Sequence, residues 1–373
     1  MTKVLVSGAS IAGPALAYWL AKGGFEVTVV ERAPKPRAGG QAIDIRGPAL
    51  TVMREMGLFD QALALRTRMK GMSMLDSAGH EISRTEERTI SGGRFNSGDI
   101  EILRDDLASL LLKASESGAT YVFGDTITSL AQGGTGVDAT FEHGAPQRFD
   151  VVIGADGLHS NTRHLAFGDE TPFMRPLRVA LAIFTTPNFL NLADWQIAFR
   201  DETSGYVIYP ARGNSELRVN LGFGLEPGDE TRGSTAAQKA LVAKRCAHLG
   251  GDIPACLAAM LSAEDFYFGD LAQVRMESWS KGRIALAGDA AYCPSPFSGQ
   301  GTSLALVGAY VLARELARSP EDVQAAFTRC EARMRPYVRK NQDMVSVERR
   351  GPIPDDIFDE AKNAISLDDL IRN

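Results

Sequence analysis

The sequence predicts an α/β protein of two lobes, one Rossmann-like and dinucleotide-binding, the other a layer of antiparallel sheet, followed by a C-terminal helix. Three observations carry this. A strand, a glycine loop and a helix open the chain over residues 3–22. A second glycine-containing loop, residues 288–301, follows a buried-strand run in the last quarter. Between them, residues 177–223 break into short, partly alternating segments separated by turn formers, the pattern of antiparallel sheet.

The bulk numbers fit this plan. The chain has 373 residues, 44% apolar and 23% charged, with 40 basic against 46 acidic side chains and a net charge of −6. That length suits two lobes around a shared core. The mild acidic excess leaves no basic footprint for nucleic acid. Cys246, Cys256, Cys293 and Cys330 form no CxxC pair, and they read as reduced thiols. No stretch approaches the ~20 apolar residues that span a bilayer, and the opening strand is too short for a signal-peptide core. A soluble, cytoplasmic protein without a membrane partner is expected, as a monomer or weak homodimer.

Element by element, Val4-Leu-Val6 and Val27-Thr-Val-Val30 are buried-strand runs. Ile11, Ala15, Trp19 and Leu20 form one helical face between them, with Pro14 tolerated in the first turn. Residues 32–47, rich in Pro, Gly and Arg, make a long loop. Helices are expected over 49–56 and 105–116, the second capped by Asp105. A strand is expected over 149–153, a helix over 236–248, a strand over 283–287 and helices from 301 onward. The lobes divide as residues 1–73, 98–176 and 268–350 for the dinucleotide-binding domain, and 74–97 with 177–267 for the sheet domain. Residues 351–373 are the C-terminal helix, bridging the two.

The first loop, Gly8-Ala-Ser-Ile-Ala-Gly13, lies between strand and helix. Its glycines turn the chain tightly, and backbone N–H groups at the helix start, around Ile11 and Ala12, face a pyrophosphate. Ser10 stands where the middle glycine would be. Glu31 ends the second strand close to the ~20-residue spacing of the acid that binds a ribose hydroxyl; an acid there disfavours a 2′-phosphate. Gly154-Ala-Asp-Gly157 follows another strand and leaves Asp156 at a turn. In the second loop, Asp289 emerges at a strand end, and Pro296, Gly299, Gln300, Gly301 and Thr302 deliver a helix N-terminus whose partial positive charge suits a developing anion. One long dinucleotide held at both ends, FAD rather than NAD, accounts for both loops. His159 and His164 lack a third ligand, so no metal is expected.

With these motifs in this order, the chain resembles the class A single-component flavin-dependent aromatic hydroxylases of the p-hydroxybenzoate hydroxylase type, closest to the branch of tetracycline-inactivating monooxygenases. The resemblance runs over essentially the whole chain. It implies a second lobe that covers the flavin, and FAD reduced by a visiting NAD(P)H, NADPH favoured. It further implies oxygen transfer from O2 through a flavin C4a-hydroperoxide to a small aromatic, phenolic or polyketide-like substrate. By position, Glu31 and Arg32 flank the adenosine ribose and Asp156 lies near the pyrophosphate. Arg104 and Asp44 contact the flavin, and Arg37 and Arg46 serve the reductant or flavin side. Asp289 with residues 299–302 holds the ribityl and isoalloxazine parts. Gln196, Tyr209 and Phe297 are the substrate candidates, and no side-chain catalyst is required. Tyr292 departs from the family's usual histidine. Baeyer–Villiger insertion, a flavin oxidase or dehydrogenase, and a non-catalytic flavin-binding protein stay open as alternatives.

Overall fold

The computed structural model describes residues 1–88, 93–95, 97–349 and 353–371. A βαβ unit of β1 (Lys3–Ser7), α1 (Ala12–Lys22) and β2 (Glu26–Glu31) leads to β3 (Ala42–Ile45), α2 (Pro48–Glu55) and α3 (Phe59–Ala64). β4 (Gly71–Leu75) and β5 (Glu81–Thr85) enter the second lobe, and β6 (Ile100–Leu103) returns straight into α4 (Arg104–Ser115). β7 (Ala119–Phe123), the meander β8 (Ile127–Gly133), β9 (Gly136–Phe141) and β10 (Gln147–Phe149), then β11 (Val151–Gly154) and α5 (Asn161–Phe167) complete the first half. The second lobe is built from β12 (Met174–Pro187), β13 (Trp195–Arg200), β14 (Ser204–Ala211), β15 (Glu216–Gly224), α6 (Thr235–Cys246), α7 (Ile253–Ser262) and β16 (Tyr267–Val274). β17 (Ser280–Lys281), β18 (Ile284–Leu286), α8 (Asp289–Tyr292), α9 (Gly301–Arg318), α10 (Val323–Asp343), α11 (Asp355–Lys362) and α12 (Asp368–Ile371) finish the chain.

The first lobe is a six-stranded sheet in the order β17-β18-β11-β1-β2-β7. Its strands run parallel except for the β17 edge. Val4, Val6, Val29, Val151 and Ile153 are buried against α1 and α9 in the largest core cluster. α9 is buried around most of its circumference, as suits a helix enclosed by other helices and sheet.

The second lobe is a seven-stranded sheet, β16-β12-β15-β14-β13-β4-β5. Strand periodicity divides its side chains between two faces. Ala180, Ala182, Phe184, Ile208, Leu217, Val219 and Leu221 pack with Val242, Cys246, Cys256 and Met260 of α6 and α7. The other face carries Thr185, Arg218 and Tyr209 in one row, since Arg218 pairs with both neighbours across the ladder. Tyr209 packs there with Leu103 and Ala42 of the two-stranded β3–β6 ribbon. The polar face of the sheet is thus turned toward the dinucleotide lobe.

Several expected boundaries shift. The strand expected over 149–153 is two strands, because Asp150 leaves the sheet to accept the Lys3 N–H at 2.7 Å. β4 and β16 both belong to the second lobe's sheet, so that sheet extends past the expected edges at residues 74 and 267. The expected single C-terminal helix is two short ones, with Phe358 and Ala361 of α11 buried apart from Leu370 of α12. α4 begins at Arg104 with Leu103 at the cap position, so Asp105 is a first-turn residue and not the cap. Among the described residues, no helix is long and apolar enough to cross a membrane.

Candidate functional site

The first loop is held by close backbone contact. Gly8 leaves β1 with φ of 103°, and a methyl there would meet the Ala155 carbonyl oxygen at 2.5 Å. Gly13 presses on the Gly8 carbonyl so tightly that an added Cβ would overlap it. Among the described residues no side chain caps α1 at Ile11, so the N–H groups around Ile11, Ala12 and Gly13 present the helix dipole to any anion at the loop. Glu31 lies alongside, accepting from the Ala9 N–H at 2.8 Å and the Ala33 N–H at 2.9 Å. Arg32 is exposed beside it.

Arg104 ties this loop to the long connection after β2. Its guanidinium donates to the Arg37 carbonyl at 2.5 Å, to the Gly39 carbonyl at 3.1 and 3.3 Å, and to Ser10 Oγ at 3.3 Å. Burial, and then the charge of Arg37, pull its pKa down to about 10. Ser10, where a glycine was expected, thereby gains a partner. The Arg37 guanidinium is exposed and lies 5.4 Å from the Tyr267 ring centroid.

β3 sits against α9. Arg46, 1% exposed, pairs with Asp44 at 2.9 Å. The Arg46 N–H donates to Ser303 Oγ at 3.0 Å, and that hydroxyl donates to the Asp44 carbonyl at 3.4 Å. Ser303 had no signal in the sequence beyond its place in the first turn after Gly301. Glu101 stands directly opposite Asp44 in the β3–β6 ladder. Burial, and then the Asp44 charge, raise its carboxyl to about 7.

The second loop folds back on the first. Gly288 lies against Ala12 of α1 and Ala305 of α9, its notional Cβ 3.0 and 3.8 Å from theirs. Asp289 opens α8; it reaches solvent, yet enough protein surrounds it to raise its carboxyl pKa. Ser295 adopts φ of 77°, a costly conformation for a residue with a side chain and one that clusters at functional sites. Pro296 and Phe297 are exposed in the following turn, Phe297 at 44%. Gln300 is fully buried, and both polar atoms of its amide lack a partner among the described residues. α9 then starts at Gly301 and Thr302 with no side-chain cap among the described residues.

Asp156 and Tyr292 both make contacts within the fold. The Asp156 carboxylate accepts from Thr162 N at 2.9 Å, Thr162 Oγ1 at 2.8 Å, Ser7 Oγ at 3.3 Å and the Ser160 hydroxyl. It knits β1 to the start of α5. Tyr292 turns into the core against Trp279, ring centroids 4.6 Å apart, and against Gly308. On the covering sheet, Tyr209 Oη accepts from the Ala42 N–H at 2.6 Å. Gln196 is buried, and its side-chain oxygen has no partner among the described residues.

This donor set fits a bound dinucleotide. Gly288 joins α1 at Ala12 to α9 at Ala305, and among the described residues neither helix N-terminus has a side-chain cap; a ribose-type acid flanks the first, and a buried amide without a partner flanks the second. Buried polar groups of that kind are otherwise paired in folded proteins.

The chain belongs to the FAD-binding-domain family, whose model matches residues 1–326. It is an FAD-dependent monooxygenase of the class A type. An uncharacterized protein of Mycobacterium tuberculosis is 47% identical over 99% of this chain and 100% of its own. A flavin-dependent monooxygenase of Legionella longbeachae is 38% identical over 91% of this chain and 87% of its own. The crystal structure of tetracycline destructase Tet(55) superposes with a TM-score of 0.87 at 35% identity, covering 98% of each chain.

Proposed function

We propose that this monooxygenase takes its electrons from NAD(P)H, NADPH favoured, and hydroxylates a small phenolic, aromatic or polyketide-like substrate between the sheet lobe and the second loop. The observation that carries the reading is the contact of Gly288 with Ala12 at the start of α1 and with Ala305 of α9, two helices whose N-termini have no side-chain cap among the described residues. The likeness to a tetracycline destructase at 35% identity supports the substrate class.

FAD supplies the redox and oxygen chemistry when bound, and the chain's residues position it and exclude water. Gly8, Ser10, Ile11, Ala12 and Gly13 hold the pyrophosphate by backbone N–H groups, and Glu31 and Arg32 hold the adenosine ribose. Asp156 supports that site from below, through Ser7 of β1. Arg104, Asp44 and Arg46 line the flavin side. Asp289 binds the ribityl chain, while Pro296, Gly299, Gln300, Gly301 and Thr302 hold the ring system, the α9 dipole stabilising negative charge on it. Arg37, exposed at the rim, takes the reductant's phosphate. Gln196, Tyr209 and Phe297 face the substrate.

The test is direct. Protein reconstituted with FAD is screened against phenolic and polyketide-type compounds for stimulated NADPH oxidation under heavy-isotope dioxygen. One labelled oxygen in the product per NADPH consumed is expected. Product formed without label points to a dehydrogenase, and failure to acquire a visible flavin band overturns the site.

A further inference from the structure

The β14–β15 turn reaches from the sheet lobe onto the first turn of α4. Arg212 in that turn has φ of 52°, a left-handed conformation that is unfavourable for a residue with a side chain. Its guanidinium lies across two carboxylates. Nη1 donates to Asp106 at 2.6 and 2.7 Å, and Nη2 donates to Asp105 Oδ2 at 3.0 Å.

Asp105 is the informative partner. The same Oδ2 accepts the Gly39 N–H at 3.2 Å, and the Gly39 carbonyl is one of the acceptors of Arg104. Segment 37–39 is therefore wired at both ends: its carbonyls to Arg104, its Gly39 N–H through Asp105 to Arg212. A second tie from the same lobe lies alongside. Asp265, fixed by the Thr185 N–H at 2.9 Å, fills the space a Gly39 side chain would need. Asp106 pairs with Arg212 just as closely, and no hydrogen bond runs from its side chain to segment 37–39 among the described residues.

We infer that Arg212 is a positioning residue for FAD binding. Acting through Asp105, it holds the 37–39 carbonyls where they aim the Arg104 guanidinium at the cofactor, so that the substrate lobe sets the geometry of the nucleotide loop. The inference rests on the assignment of Arg104 to the flavin side.

A double-mutant cycle tests it, read as the FAD dissociation constant from flavin fluorescence, with apoprotein melting as the control for folding. Arg212→Gln and Asp105→Asn should each weaken FAD binding about five- to tenfold, and the double variant no further, since both break one chain of contacts. Arg212→Lys should recover part of the loss, and Asp106→Asn should leave the constant near wild type. Arg212→Gln that lowers the melting temperature without moving the dissociation constant overturns the inference, as does full additivity with Asp105→Asn. Should Arg212→Gln not fold, Asp105→Asn set against Asp106→Asn decides: equal effects overturn it. Arg104→Gln separates the two readings. If Arg104→Gln leaves FAD binding unchanged, the underlying assignment fails; if it weakens binding while Arg212→Gln does not, only the positioning role fails.

Discussion

The Tyr292 hydroxyl lies against Gly308 of α9, in space that any side chain at residue 308 would occupy. The ring is 3% exposed and tilted 54° against Trp279, and burial raises its phenol pKa. A tyrosine in place of the family histidine is thus accommodated by a missing Cβ one helix away. Its side chain belongs to the core beneath the site.

Gly308→Ala should therefore destabilise the protein by about 1–3 kcal/mol through overpacking, although alanine favours an α-helix by roughly 1 kcal/mol over glycine. Adding Tyr292→Phe, which removes the obstructing oxygen, should recover most of the loss. Urea unfolding of the wild type and the two variants checks this. Gly308→Ala with a midpoint at or above wild type would refute the packing.

The first loop separates two kinds of irregularity. Gly13→Ala forces a methyl onto the Gly8 carbonyl, and it should weaken FAD binding well beyond tenfold by displacing α1 from β1. Ser10→Gly costs only the 3.3 Å bond from Arg104 and should change FAD affinity by no more than about fivefold, the worth of one modest hydrogen bond. Fluorescence titration of both variants decides. A larger loss in Ser10→Gly would mean that the serine contributes more than its bond to Arg104.

These contrasts indicate what the sequence could reveal. The strand–glycine–helix signature and Glu31 are local, and a local pattern fixes the conformation of its own few residues, so the βαβ unit and the start of α9 were legible. Four of the seven strands of the second lobe's sheet, β12 to β15, were legible from alternation, with ends off by a few residues. Ser303, Glu101 and Arg212 were not legible. Each matters through a residue far away in the chain: Ser303 through Arg46, Glu101 through Asp44 across a ladder, Arg212 through Asp105. The bond between Asp156 and Ser7 was equally hidden, because the two residues lie 149 positions apart in the chain.

Glu101 makes stability depend on pH. Its carboxyl rises from an ordinary 4.5 to about 7, first through burial and then through Asp44 opposite it. Thr67 and Arg46 act against the shift. The folded state therefore holds a proton that the unfolded state releases. Its contribution is complete below 4.5, erodes as pH rises toward 7, and is gone above that. Glu101→Gln keeps a neutral side chain at all pH values and should flatten this decline. Denaturant midpoints measured across the window should converge at its acid end and separate at its neutral end, the variant being the more stable there. Parallel curves would mean that Glu101 ionises normally in the fold.

Asp156 offers the sharpest separation of a structural from a ligand-binding role. Its carboxylate accepts two bonds from Thr162, one from Ser7 and one from Ser160. Asn at this position replaces one acceptor oxygen by an NH2 group, which must face a hydroxyl or N–H that also donates. Leaving such a group unsatisfied costs about 1–3 kcal/mol. Asp156→Asn should accordingly lower the stability of the apoprotein, with no FAD present, by that amount. Ser160, whose hydroxyl also caps α5 through the Arg163 N–H at 2.9 Å, provides the comparison. Ser160→Ala should cost about 1 kcal/mol as a lost cap, and the combination with Asp156→Asn should be less than additive because the two share a contact. An apoprotein carrying Asp156→Asn that unfolds like wild type, while binding FAD more weakly, would move Asp156 from the scaffold to the cofactor.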